Sequence, residues 1–315
     1  MKRLQKNGGK RLRGVKEIIF NNYFLHVTVL SVYNYGLWYL NKLTNYAIEK
    51  RRFKRSLGYS LNLKNPRSFN EKVVYKKIYD RNPLLTKTAD KYKVREYVKK
   101  VLGEKEGEKI LIPLLHVTNK PEKIPFEKLP KDFVVKANHG SGWNVIVRDN
   151  KYNKKELVKK CRAWIRTPFG LEKMEWAYKN INRKIIIEKF LKDEKGKVPK
   201  DYKFFVFHGK CKMVQVIEDR GKSQKNTFFN EKWKFLNVKR IGEETNKNTK
   251  KPKNFEKMKK TAEKLGKDFD FVRVDFYEIK DKIYLGEITH CPGSGSEEFK
   301  PRTQDFHLGK HWKIK

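Results

Sequence analysis

Arg273-Val274-Asp275 and Glu287 place two carboxylates a hairpin's length apart. On adjacent antiparallel strands, alternation puts residues 273 and 275 on one face. Glu287, near the end of the next strand, can then meet Asp275 across the pair. Two carboxylates at one spot repel each other unless they share a cation. Oxygen-only ligands suit Mg²⁺, which completes its shell with water and phosphate oxygens. The same two acids could equally be surface groups paired with nearby lysines. Pro292-Gly293-Ser294-Gly295 adds an amide-rich turn beside them. A second group is Lys136, at a strand end beside Asn138-His139-Gly140-Ser141-Gly142. Amides exposed by glycine can cradle phosphate, and a lysine adds a point charge; such a loop can also exist only for its turn. The third is Glu188-Lys189-Phe190-Leu191 after an apolar strand, followed by Asp201-Tyr202-Lys203, which alone reads as a strand leaving the core. His139 and His290 could assist a proton transfer or simply hydrogen-bond a loop.

The elements that must position these groups follow from pattern. Ser68 with Glu71 reads as a capping box opening a helix from Phe69 to Ile78. Asp90 to Lys100 repeats apolar residues at helical spacing. Gly103 to Glu108 reads as a polar loop, and a short strand is expected around Leu114 to Val117. Residues 133–136 and 145–147 form a hairpin, Lys154 to Ile165 a helix, and Lys184 to Ile187 a strand ending at Glu188. Lys203 to Phe207 and Lys212 to Ile217 make another hairpin. Asn254 to Leu265 is an amphipathic helix, and Phe271 to Tyr277 with Lys282 to Ile288 is the last hairpin. The class is α+β, with antiparallel hairpins and no alternating βα units.

The chain has 315 residues and a net charge of +40. Its 13% aromatic content supports a real core and excludes a disordered basic tail. Such a charge attracts polyanions, whether nucleic acid, anionic lipid or acidic polysaccharide. Lysine and asparagine are also abundant throughout, so composition accounts for much of the excess. No nucleic-acid module is recognisable, although Tyr75, Tyr79, Tyr92 and Tyr97 interleave with basic residues. The cysteines Cys161, Cys211 and Cys291 are odd in number and lack CxxC spacing, which fits a reduced, cytoplasmic compartment. Seven basic residues between Lys2 and Lys16 precede a stretch from Ile18 to Asn41 without any charge. That segment reads three ways: a helix lying in the membrane interface through residues 15–55, a helix packed on the protein's own core or in a dimer, or a true span.

The order of these motifs resembles the ATP-grasp enzymes over about Asp90 to Gly295. Leu63 to Lys72 (LKNPRSFNEK), Tyr79 to Leu84 (YDRNPL) and Asp201 to Phe205 (DYKFF) narrow the resemblance to the teichuronopeptide-biosynthesis, TupA-like branch found in bacterial surface-polysaccharide loci, over roughly residues 57–300. The resemblance implies an ATP-grasp fold, in which two α+β subdomains with antiparallel sheets clamp ATP, here behind a helical N-terminal extension. The expected divisions are 1–56 for the extension, 57–130 leading into the grasp, 131–190 for the lid subdomain and 191–315 for the subdomain with the metal site. By the same resemblance Lys91 and Lys136 hold ATP phosphates, and His139, Gly140, Ser141 and Gly142 form the lid. Glu188, Lys189, Phe190 and Leu191 read adenine through the backbone of Lys189 and Leu191, and Asp201 binds the ribose. Lys203 faces phosphate, and Arg273 steadies an acyl phosphate. Asp275 and Glu287 hold Mg²⁺, with Thr289 standing where many members carry an asparagine ligand. The implied reaction joins a carboxylate and an amine, with a uronic acid of an anionic glycan as acceptor and an amino acid or amino sugar as donor. It would run in the cytoplasm at the inner face of the plasma membrane. A glycosyltransferase or a non-catalytic partner of the same pathway is the alternative, although no DxD pair is present.

Overall fold

The computed structural model describes residues 23–220, 223–240 and 243–314. The basic run from Lys2 to Lys16 and the rest of the segment before residue 23 lie outside the described residues. So do residues 221–222, 241–242 and 315.

Helices α1 (Tyr23–Leu43) and α2 (Ala47–Leu57) open the structure. The inner face of α1 carries Trp38, which packs with Phe53, Leu57, Val74, Ile78, Leu171 and Met174. Asn41 accepts a hydrogen bond from the Glu49 amide at 3.0 Å, which fixes the two helices to each other. Of the three readings of this segment, packing on the protein's own core is therefore realised from α1 onward. No helix among the described residues is long and apolar enough to cross a membrane.

Helix α3 (Phe69–Tyr79) starts with the expected capping box, both halves of which form between Ser68 and Glu71. Asn82 caps α4 (Pro83–Ala89), with proline at the first helical position. Helix α5 (Val94–Leu102) realises the periodic stretch after Asp90. The polar loop expected at residues 103–108 is instead helix α6 (Glu104–Ile110). Its support is lateral: Lys99 meets Glu104 at 2.8 Å and Glu108 at 2.7 Å. Gly107 lets α6 approach α5, since a Cβ there would lie 2.8 Å from the Lys99 Cα. A helix held by ion pairs and one close backbone contact leaves little apolar periodicity to read.

Two antiparallel sheets follow. The smaller has strand order β1 (Leu114–Thr118), β4 (Ile185–Lys189), β2 (Phe133–Ala137), β3 (Asn144–Val147). Helix α7 (Lys154–Arg166) covers one face through Leu157 and Cys161. Strand β1 lies before residue 131, yet it pairs with β4 and belongs to this sheet. The larger sheet runs β11 (Lys282–Thr289), β10 (Phe271–Ile279), β5 (Asp201–Phe207), β6 (Lys210–Glu218), β7 (Lys225–Asn230), β8 (Phe235–Leu236), and β9 (Lys239–Arg240) pairs separately with β12 (Phe299–Lys300). On one face Phe204, Val206, Val272, Val274 and Phe276 pack with α5 and with α8 (Phe255–Leu265). The alternate residues Phe205, Phe207 and Phe271 face α3 and Trp312. Period-two alternation then puts Asp201, Lys203, Arg273 and Asp275 on that second face, farther along the same strands.

Candidate active site

A cavity of about 580 Å³ lies between the two sheets. Lys136, Asn144 and Ile146 line it from the small sheet, and Asp201, Lys203, Asp275 and Glu287 from the large one. Lys91 enters between α4 and α5, and Gly140, Ser141 and Gly142 close one side. Lys189, Phe190 and Leu191 line the wall where β4 runs out.

The carboxylate pair forms as alternation requires: Asp275 stands directly opposite Glu287 in the β10–β11 ladder, and Arg273 opposite Thr289. On the other side of β10, Asp275 faces Lys203. Arg273 donates from Nε to Asp275 Oδ1 and from Nη2 to Oδ2, both at 2.8 Å. Lys203 Nζ is 2.5 Å from Asp275 Oδ2 and 2.7 Å from Asp201 Oδ2. Burial pushes the Asp275 carboxyl up, but the charges of Arg273 and Lys203 outweigh it and hold the group below the usual carboxylate range. For Glu287, burial again acts upward and is overcome, chiefly by Lys91, whose Nζ is 3.4 Å from Glu287 Oε1. Both acids are ionised at neutral pH, side by side.

Two ionised oxygen ligands on facing strands fit Mg²⁺. Among the described residues no cluster of three or more His, Cys, Asp or Glu side chains converges as a metal cage. A bound Mg²⁺ would therefore take Asp275 and Glu287 and fill its shell with water and phosphate oxygens. The Thr289 hydroxyl accepts from Arg273 Nη2 at 3.2 Å; that contact orients the guanidinium and lends no support to Thr289 as a third ligand.

Across the cavity, Lys136 Nζ is 2.6 Å from Glu188 Oε2, and Lys91 Nζ donates to the Gly140 carbonyl at 2.6 Å. Lys91 is thus tied to both the Gly140 turn and Glu287. The Lys189 amide N–H is taken by the Pro113 carbonyl at 3.0 Å, so any pairing of Lys189 with a base edge falls to its carbonyl. His139, expected in a lid over phosphate, is fully buried. Its Nδ1 meets Asn138 at 3.2 Å and its Nε2 the Trp164 carbonyl at 3.0 Å. Burial, reinforced by the charge of Arg183, lowers its pKa to about 4. His290 is likewise buried, bonded to Thr88 Oγ1 at 2.7 Å and held neutral by burial. Neither histidine reaches the cavity wall, because each is committed to the packing that supports a neighbouring element.

Three groups escape the sequence reading. Arg220 lines the cavity and pairs with Asp201. The β5–β6 register Asp201↔Ile217 could have signalled it, because the chain just past Ile217 emerges at Asp201's end of the sheet. With Lys203 and Arg220 on its Oδ2, Asp201 is held from two sides, and its Oδ1 is buried without a partner. Asn138, part of the glycine-rich loop by sequence, is a buried bracket: it donates to Asp90 Oδ1 at 2.8 Å and accepts from the Lys184 amide at 2.7 Å. Lys77 holds the turn Pro292–Gly295, reaching the Ser294 carbonyl at 2.7 Å and Glu49 at 2.5 Å. Within that turn Gly293 and Ser294 both have positive φ, at 53° and 56°. A non-glycine residue in that region costs energy and needs such support.

A family model for TupA-like ATP-grasp proteins matches residues 71–313. The chain belongs to that family. The match spans both sheets, the turn at residues 139–142 and the Asp275–Glu287 pair of this TupA-like ATP-grasp protein. Among solved structures, D-alanine–D-alanine ligase from Bacillus anthracis complexed with ATP is similar at 19% identity, covering 67% of this chain and 58% of that one, with a TM-score of 0.39. The same ligase from Helicobacter pylori shows 18% identity over 73% of this chain and 60% of that one, TM-score 0.39. N5-carboxyaminoimidazole ribonucleotide synthetase from Thermus thermophilus shows 9% identity over 64% and 45%, TM-score 0.38. This TupA-like chain thus spans between 45% and 60% of these three structures. Among curated proteins, none matches it.

Proposed function

We propose that this TupA-like ATP-grasp protein is an ADP-forming carboxylate–amine ligase whose acceptor is a uronic acid of an anionic surface glycan. The observation that carries the reading is the registered Asp275–Glu287 pair, ringed by Lys91, Lys136 and Lys203 around one cavity. ATP lies between the sheets, with its base along Lys189 to Leu191 and its phosphates on Lys91 and Lys136. Bound Mg²⁺ would supply neutralising charge for the phosphates from its seat on the two acids. The acceptor carboxylate oxygen attacks the γ-phosphorus, ADP departs, and an acyl phosphate forms. The amine then attacks the acyl carbon, phosphate leaves, and the amine's proton passes to solvent or phosphate. Arg273 steadies the acyl phosphate, and Lys203 faces the transferred group. Fixed charges aimed at developing charge are the main source of acceleration in such transfers. No side chain becomes covalently modified. The amine is an amino acid or amino sugar, and the strongly basic surface suits a polyanionic acceptor. Because ATP is supplied in the cytoplasm, the reaction is assigned to the cytoplasmic side of the plasma membrane.

The test is product analysis. Purified protein is incubated with Mg-ATP, uronic-acid glycans and amines, singly and together. ADP should appear only when acid and amine are both present, with the glycan gaining the mass of the amine less water. AMP as the product, or turnover of a UDP-sugar without ATP, overturns the reading.

A further inference from the structure

We infer that α1 and α2 form a docking surface for an anionic bilayer, with α1 lying flat in the interface and never crossing it. Val29, Val32, Tyr33, Leu40 and Leu43 are between 40% and 84% exposed. At 3.6 residues per turn these five, with Gly36, fall within about 100° of arc on α1. A Cβ added at Gly36 would meet nothing within 4 Å. Asn34, Trp38 and Asn41 occupy the opposite side and are buried. Asn34 donates to the Pro168 carbonyl at 3.4 Å, and Trp38 sits in the apolar cluster shared with α2. The helix therefore cannot roll to hide its outer stripe without losing those contacts. An exposed apolar stripe on a helix locked by its other face marks an interaction site.

Charge selects the occupant. Between residues 18 and 70 the only acid is Glu49, and it is buried against Lys77 and Arg52. Arg51, Lys54 and Arg55 are exposed on α2, opposite its buried residues Glu49, Phe53 and Leu57. Since α1 and α2 share one core, their outward faces turn away from it together, one apolar and aromatic, the other cationic. An apolar stripe inserted at headgroup depth beside unopposed basic residues is the chemistry of binding to anionic lipid. A second copy of this chain would set basic faces of α2 near each other without any acid to answer them.

The surface stands apart from the ligase chemistry, and its test needs no turnover. The full chain is sedimented with vesicles of equal parts phosphatidylcholine and phosphatidylglycerol, and with vesicles of phosphatidylcholine alone. It should partition onto the anionic vesicles, and less so as salt rises. The double variant Val32→Asp/Leu40→Asp should partition about tenfold more weakly. A second variant, Arg51→Glu/Lys54→Glu/Arg55→Glu, tests the other helix should the first fail to fold, and should lose the preference for anionic vesicles. The inference is overturned if the parent binds neither vesicle or if both variants bind as the parent does. It is also overturned if Val32→Asp/Leu40→Asp converts a dimer to a monomer without changing vesicle binding, which assigns the stripe to a second copy.

Discussion

The two sheets that line the cavity hold their charges differently. In the large sheet Asp275 is fixed from its own strand and from β5, bonded to Arg273 through two nitrogens and to Lys203 through a third. The strands carrying them run seven to nine residues and bury most of their side chains. In the small sheet Lys136 has one carboxylate partner, Glu188. Its neighbour β3 is a four-residue edge strand with Ile146 exposed, leading back to an exposed Ser141 and Gly142. One wall is a charge network fixed in advance, where reorganisation would be costly. The other carries its cation and its amide-rich turn on a short edge, where few contacts oppose movement. On the function proposed above, admitting ATP and then enclosing it would use both kinds of wall.

Replacing Asp275 should produce the largest effect and show how firmly the large sheet is fixed. Asp275→Asn leaves Arg273 and Lys203 buried with reduced counter-charge, which costs about 3–5 kcal/mol of stability. Turnover should fall by about a thousandfold or more. A thermal melt with ADP release measures both, and an unchanged melting temperature would break the contrast.

Glu287→Gln separates chemistry from scaffold. Among the described residues, the sole ion pair of Glu287 is the 3.4 Å contact to Lys91, so stability should change by less than about 1 kcal/mol. ATP binding should persist while turnover drops by about a hundredfold. Parental turnover in this variant would remove Glu287 from the metal site.

Acid should separate the buried histidines from the carboxylate pair. His139, buried beside the Gly140 turn, has its folded pKa lowered to about 4 against an ordinary value near 6.5. The unfolded chain binds the proton more tightly, so this stabilisation is present above about pH 6.5 and is lost as pH falls toward 4. The size is about 3 kcal/mol. Asp275 and Glu287, both depressed, keep their contribution until pH drops below the ordinary carboxylate range. His290, neutral for the same reason as His139, adds to the same window. Denaturant midpoints across that window should thus slope less steeply in His139→Gln than in the parent; identical slopes would discount the buried imidazole.

Lys136→Met should have the smallest effect. If Lys136 holds an ATP phosphate as proposed, its loss should raise the KM for ATP about tenfold and leave kcat within a few-fold. A fall in kcat at unchanged KM would mean that Lys136 acts on the transferred group and not on bound ATP.

Much of this site is legible in the order and spacing of residues. The Asp275–Glu287 register follows from alternation on two strands joined by a short turn, and the Ser68–Glu71 capping box from residues three apart. Lys91 and Lys136 are legible through resemblance to a family's motif, and the fold brings both to one cavity. What the sequence did not show shares a cause. Residues 104–108 are helical because Lys99 and its neighbours hold them laterally, and β1 joins the small sheet because β4, some seventy residues later, is its partner.

The sequence by itself determined the hairpins, which residues share their faces, and the pairing of acid with acid across one turn, because those contacts are short-range and period-two. Tertiary structure alone decided that His139 is buried, that Arg220 meets Asp201, that Lys77 braces the turn at Ser294, and that α1 keeps an apolar stripe outward. Each of those depends on segments distant in the chain packing together, and such contacts leave no periodic trace in the residues that make them.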